Sequence, residues 1–221
     1  MKSSSRFDFL LSMSIVLLFS INSINAQEYS FGVKGGLNYS VGNDGSEIAG
    51  SLGQFSAESG VGYLFGGFGE LTFNKFLVRS EVFYSHVTSE FNFPDLALEY
   101  NISKINIPLL VGYNVYGPID VYAGPSYQNI TNFDFQNVED KIEINQKEFN
   151  AHFGIKFIYV KWEVDLRYEY VPTSKSNQII DIENVMENAY FDDGRLNNIM
   201  LSVNYKFLDT KTYKSKEVID E

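Results

Sequence analysis

Two histidines are the only imidazoles in 221 residues, and no cysteine accompanies them. His86 follows Ser85 and stands two residues before Thr88, while His152 stands two residues after Asn150. A histidine within hydrogen-bond reach of a serine takes the hydroxyl proton and makes a nucleophile, provided a third group orients the ring. Neighbours in an extended strand point to opposite faces, so Ser85 and His86 do not form that pair. Each histidine is therefore read as a polar residue near a strand end. The observation that would change this reading is hydrogen-bond reach from either ring to a serine or a carboxylate. Without cysteine there is no thiol catalysis, no disulfide and no thiolate zinc site. Asp192-Asp193-Gly194 offers oxygen ligands for Ca²⁺, but turn chemistry accounts for the triplet. No glycine-rich phosphate loop occurs. No catalytic, cofactor-binding or metal-binding residue is assigned, no cofactor is expected, and the chain reads as a non-enzyme.

The elements that would position these residues are strands. Residues 162–171, WEVDLRYEYV, alternate Trp162, Val164, Leu166, Tyr168 and Tyr170 with Glu163, Asp165, Arg167 and Glu169. Period-two alternation is the mark of a strand with two unlike faces. Eight stretches share it, at about 29–41, 59–73, 76–91, 100–116, 119–133, 147–159, 162–171 and 196–207. The gaps at 74–75, 117–118 and 160–161 are tight, whereas 42–58, 92–99, 134–146 and 172–195 are long. With antiparallel neighbours, all short turns fall at one end and all long loops at the other. That asymmetry belongs to transmembrane barrels, with short periplasmic turns and long extracellular loops. An even strand number closes the sheet and removes its edges.

One face of the eight strands carries no Asp, Glu, Lys or Arg. The other carries Lys34, Glu70, Arg79, Glu81, Asp120, Lys156, Glu163, Asp165, Arg167, Glu169 and Lys206. No strand divides its charges between faces. Five positive and six negative charges suit a closed interior, where each must find a partner. The uncharged face has aromatics near both ends. Tyr29, Phe31, Phe73, Tyr116, Tyr159, Trp162 and Phe207 lie near the turns, and Tyr39, Tyr63, Tyr84, Tyr127, Phe153 and Tyr170 toward the loops. Two girdles fit two lipid–water interfaces. The fold expected is an eight-stranded antiparallel transmembrane β-barrel, its charged face inward. A soluble ligand-binding barrel would instead put the eleven charges outside, and predicts neither girdles nor loop asymmetry.

Charge and ends add to this. The formal net charge is −11, which disfavours nucleic acid as a partner. The long loops hold almost all of the acidic excess. Residues 130–135 and 141–148 continue strand-like alternation, so a hairpin is expected above the membrane, with Glu139, Asp140, Glu143 and Glu148 as its candidate contact surface. Residues 178–190 place Ile179, Ile182, Met186 and Ala189 at helical spacing, which predicts a short amphipathic helix over the barrel mouth. Residues 1–26 read as a signal peptide, with Lys2 and Arg6 before the apolar run Leu10 to Ile21 and Ala26 at the cleavage position. The expected domains are this leader, a barrel over 27–207 and a polar periplasmic tail over 208–221.

Three stretches carry a resemblance. FGVKGGLNYS at 31–40, INIPLLVGYNVYGPIDVYAGPSY at 105–127 and LSVNYKF at 201–207 resemble the PorT-type outer-membrane β-barrel family common in Bacteroidota. The resemblance spans 31–207 and implies export to a Gram-negative outer membrane, with some members serving protein secretion. It also implies that the closing strand, with Tyr205 and Phe207, is read by the barrel-insertion machinery. It supplies no catalytic residues. Members usually end at the terminal aromatic, whereas LDTKTYKSKEVIDE follows Phe207 here.

Eight strands enclose an interior that side chains fill, so charges there make a plug rather than a pore. The expected role is a non-enzymatic surface barrel of the cell outer membrane, serving binding or adhesion, envelope integrity or secretion. Its partners would be outer-membrane lipid, the insertion machinery and a protein at the extracellular loops. The alternatives are a barrel hydrolase acting on lipid A or peptides, and a soluble periplasmic ligand-binding barrel.

Overall fold

The computed structural model describes residues 28–41, 47–50, 53–93, 97–135, 149–172, 178–182, 186–192 and 197–210. These form the strands β1 (Glu28–Ser40), β2 (Glu47–Gly50), β3 (Gly53–Ser56), β4 (Val61–Phe73), β5 (Phe76–Asn92) and β6 (Ala97–Tyr116). They continue with β7 (Ile119–Phe135), β8 (Phe149–Tyr159), β9 (Trp162–Tyr170), β10 (Gln178–Ile182), β11 (Met186–Asp192) and β12 (Asn198–Asp209). Eight of them close an antiparallel barrel in the order β1-β12-β9-β8-β7-β6-β5-β4. Its seam is the β1–β12 ladder, from Ser40↔Asn198 at the loop end to Ser30↔Asp209 at the turn end. The other four form a sheet in the order β10-β11-β2-β3.

Period-two alternation sorts the side chains as it must in a closed sheet. On β9, Trp162, Val164, Leu166 and Tyr170 are exposed on the wall, while Glu163, Asp165, Arg167 and Glu169 are buried inside. The same parity holds along the other barrel strands, apart from two outward residues that are buried, Ser103 and Tyr127. Tyr127, expected in the loop-end girdle, is buried, with its ring edge-on to Phe149 at 5.7 Å. Phe149 begins β8 directly opposite Tyr127 and covers it.

Two-residue turns join strands at 74–75, 117–118 and 160–161. Such turns follow strand twist when their residues adopt positive φ. Asn74 and Gly117 do so at 55° and 52°, Asn because it tolerates the left-handed region and Gly because it has no Cβ. Val160 does so at 55° with a β-branched side chain, a conformation that costs about 1–2 kcal/mol. Replacing Val160 by Asn is therefore expected to raise stability by about 0.5–1 kcal/mol. The measurement is the urea midpoint of the folded band on a heat-modifiable gel, and a lowered midpoint would contradict strain at this turn. Gly62 has a different reason to be glycine. A Cβ there would lie 1.8 Å from the carbonyl oxygen of His86 on the neighbouring strand, so the two backbones approach too closely for a side chain.

Three expectations change. The gap at 92–99 is narrower, because β5 and β6 stay paired as far as Asn92↔Ala97. Leu208 and Asp209 are not tail residues: they pair with Phe31 and Ser30 past a bulge at Phe31/Gly32, and Thr210 Oγ1 accepts from Tyr29 N–H at 2.9 Å. The predicted helix over 178–190 is instead the hairpin of β10 and β11, paired Gln178↔Phe191 through Ile182↔Met186. β11 then pairs with β2, Tyr190 opposite Ala49, which satisfies backbone groups that a helix would satisfy internally. Ile179, Ile180 and Ile182 favour that outcome because β-branched residues suit a pleated sheet. The leader at 1–26 and the tail from 211 onward lie outside the described residues.

Candidate functional site

The interior of the barrel is a three-tiered ion network. Near the turns, Arg79 Nη1 reaches Glu163 Oε2 at 2.7 Å and Glu70 Oε2 at 3.2 Å. Lys156 pairs with Glu70 and lies 3.5 Å from Asp120, and Lys206 Nζ lies 3.0 Å from Glu163 Oε1. In the middle, Glu81 is the hub. It accepts from Lys34 Nζ at 2.9 Å, from Arg79 Nε at 2.7 Å, and from both terminal nitrogens of Arg167 at 2.8 and 2.9 Å. Arg167 also pairs with Asp165 at 3.0 Å and donates to the Tyr122 hydroxyl, which donates to Asp165. Near the loops, Glu169 accepts from Lys104 at 2.5 Å, from Asn198 at 2.7 Å and from Asn150.

All eleven interior charges read from the sequence lie in this network, and each is buried. Lys104 was missed. It occupies the interior parity of β6, one residue beyond the stretch counted as that strand's face, next to a bulge at Ser103/Lys104. With it, Lys34, Arg79, Lys104, Lys156, Arg167 and Lys206 face Glu70, Glu81, Asp120, Glu163, Asp165 and Glu169, so this set is neutral; Asp209, buried at the turn end, is a further negative charge outside it. Buried charges persist only when paired, and neutrality is what a sealed interior demands. Aromatic faces add to the packing, with the Arg79 guanidinium 3.5 Å above Phe68. The crossing side chains fill the middle of the lumen. A cavity of about 510 Å³ remains at the turn end, lined by residues that include Glu28, Asn74, Lys75 and Lys206.

The extracellular side has a layer that the sequence did not disclose. β2 and β3 come from the first long loop, and β10 and β11 from the last. Ile48, Ala57, Phe91 and Phe93 are buried there, and the Phe55 and Phe93 rings meet at 4.5 Å. Glu139, Asp140, Glu143 and Glu148 lie outside the described residues, as do Asp193 and Gly194. Asp192 ends β11 opposite Glu47. Among the described residues no group of three His, Cys, Asp or Glu side chains could hold a metal. Tyr205 and Phe207 lie on the outer wall of β12. Tyr205 packs on Trp162 at 4.8 Å, and Phe207 is exposed.

The histidines part company. His152 is buried in the lumen beside Phe83, its Nε2 4.0 Å from Glu169 and beyond hydrogen-bond reach. His86 is on the outer wall, where Nδ1 lies 2.9 Å from Ser103 Oγ. Ser85 is not its partner: that hydroxyl is inside, accepting from Asn106 at 3.1 Å. Ser103 escaped notice because it is 17 residues away in sequence. Only the β5–β6 register, His86↔Ser103, brings it close.

An apolar wall, a charged neutral core and loop-end ordering together describe a barrel made for lipid. The sequence matches the family described as outer membrane protein beta-barrel domain over residues 14–207. The chain belongs to that family. It is an outer-membrane protein, and its eight-stranded barrel is the membrane-spanning part. Among solved structures it is similar to Ail, the attachment invasion locus protein of Yersinia pestis, in complex with the heparin analogue sucrose octasulfate. That likeness has 12% identity and a TM-score of 0.43, covering 82% of this chain and 99% of that one. It is also similar to Neisserial surface protein A, at 14% identity and a TM-score of 0.40, covering 81% of this chain and 99% of the other. No curated protein matches the sequence.

Proposed function

We propose that this barrel is a sealed scaffold that presents an extracellular binding surface to a protein partner. The observation that carries the reading is the sheet β10-β11-β2-β3, in which two loops far apart in sequence join into one ordered layer with buried apolar residues. Loops that only close a barrel have no need of such a layer, and binding surfaces are commonly loops held by a rigid scaffold. The neutral ion network supports a plug over a diffusion pore. The sequence likeness to the PorT-type family keeps secretion beside adhesion and envelope integrity among the roles. Tyr205 and Phe207 are assigned the insertion signal. Glu139, Asp140, Glu143 and Glu148 are assigned to the contact surface, where negative charge favours basic or cation-bridged partners.

Two variants test this reading. One replaces residues 134–146 by a two-residue turn, and the other carries Phe55→Ala with Phe93→Ala. The deletion trims only Asp134 and Phe135 from the loop end of β7, and both variants keep the rest of the barrel and Phe207, so both are expected to insert and to show heat-modifiable mobility. Chemical cross-linking on intact cells is expected to yield protein adducts with wild type that one or both variants lose. Inserted variants that both keep every wild-type adduct would overturn the reading.

A further inference from the structure

We propose that Ser103 and His86 form a nucleophile–base pair on the outer wall of the barrel, directed at carboxylic esters of outer-leaflet lipids. The proposal is independent of the surface-binding reading and departs from the expectation of a non-enzyme. It starts from a chain of hydrogen bonds that runs from Asn101 through Thr88 and His86 to Ser103. Asn101 Oδ1 can only accept, so the Thr88 hydroxyl, 2.6 Å away, must donate to it. Thr88 Oγ1 then has lone pairs left for His86 Nε2, which lies 3.5 Å away. With the ring proton on Nε2, Nδ1 presents its lone pair to Ser103 Oγ at 2.9 Å. That is the tautomer a general base needs, with the ring held from behind by Thr88 and Asn101 as positioning residues.

The place matches the chemistry. The His86 ring lies 5.3 Å from that of Tyr63, and Tyr63 lies 6.3 Å from Tyr84. The pair thus sits within the loop-end aromatic girdle, at the depth where lipid headgroups meet acyl chains. Ser103 itself is nearly covered, while His86, Thr88 and Asn101 are partly open. An ester must approach from their side. A bulge lies beside Ser103: Asn132 pairs with Ser103 and Ile130 with Lys104, so Thr131 is the extra residue, and its hydroxyl donates to the Ser103 main-chain oxygen at 3.1 Å. Bulges interrupt the ladder and leave the extra residue unpaired.

The step is hydrolysis. Ser103 Oγ bonds to the acyl carbon as its proton passes to His86 Nδ1. The carbon–oxygen bond to the lipid alcohol then breaks, and the departing oxygen takes that proton. Water attacks the acyl-serine, losing its proton to Nδ1. The carboxylic acid leaves as the proton returns to Ser103 Oγ.

The test uses the full chain folded into phosphatidylethanolamine–phosphatidylglycerol vesicles, with heat-modifiable mobility checked for every variant. The probes are a fluorophosphonate and release of fatty acid from a fluorescently labelled phospholipid. Wild type is expected to be labelled at Ser103 and to release fatty acid. Ser103→Ala is expected to lose both, and His86→Ala to lower the rate by about 100-fold or more. Asn101→Ala is expected to shift the pH profile of the rate, and Asn101→Asp, which keeps the acceptor, to restore it. Ser80→Ala, on the same wall, serves as the unchanged control. Should Ser103→Ala fail to fold, locating the label on wild type by mass spectrometry decides. Folded wild type that neither takes the label nor releases fatty acid would overturn the proposal, as would a label on another residue.

Discussion

Replacing Arg167 by methionine is expected to lower the stability of the inserted barrel by about 3–5 kcal/mol. Arg167 is buried and serves three groups at once: both oxygens of Glu81, Asp165 and the Tyr122 hydroxyl. Methionine keeps much of the volume but removes one positive charge from a balanced interior. Glu81 retains Lys34 and Arg79, yet the set is then left one negative charge in excess. An uncompensated buried charge is far more costly than a missing pair. The double variant Arg167→Met with Asp165→Asn, which restores neutrality, should therefore recover a good part of the loss. Arg167→Lys should fall between, since an ammonium cannot reproduce the two parallel bonds to Glu81. The measurement is the urea midpoint of folded mobility in lipid vesicles. A wild-type midpoint for Arg167→Met would mean that the network contributes no stability.

The interior was legible in sequence because alternation leaves little freedom. A charge on the wrong parity would face hydrocarbon, so the pattern along eight strands names the lumen residues directly. Lys104 was lost only because the counted face of β6 began at Ile105, one residue inside the bulge. Partners are harder than faces. That Arg167 meets Glu81, and that His86 meets Ser103, depends on register and on which strands oppose each other across the lumen. The register of β5 on β6 depends in turn on how far the ladder climbs into the 92–99 gap, and alternation does not encode that.

The extracellular sheet was illegible for a different reason. Ile179, Ile182, Met186 and Ala189 fit a helical period, and Ile179, Ile180 and Ile182 equally fit a strand. Local propensity cannot choose between them. What chooses is the pairing of β11 with β2, Tyr190 opposite Ala49, contributed by a loop some hundred and forty residues earlier. Non-local backbone partners override a short amphipathic pattern, and nothing in either segment alone announces the other.

The second large effect belongs to the outer wall. Leu166 lies midway along β9, four residues from Trp162 and four from Tyr170. Its neighbours across the ladders are Leu201 and Ile155, both exposed on the same wall. Hydrocarbon covers that wall, and Leu166 lies near its midplane. Leu166→Arg should then cost about 2–4 kcal/mol, because an arginine there must drag water inward or thin the bilayer. Tyr116→Arg makes the matched control. Tyr116 is exposed at the turn end of β6, where the same side chain can reach headgroups and should cost only about 0–1 kcal/mol. Against a soluble barrel neither substitution would matter, since both residues would face water. The depth dependence is thus the informative quantity, read as the difference between two urea midpoints in one lipid. Equal midpoints for the two variants would place the wall outside the hydrocarbon. A larger loss at Leu166 in thicker bilayers would locate the midplane at that position.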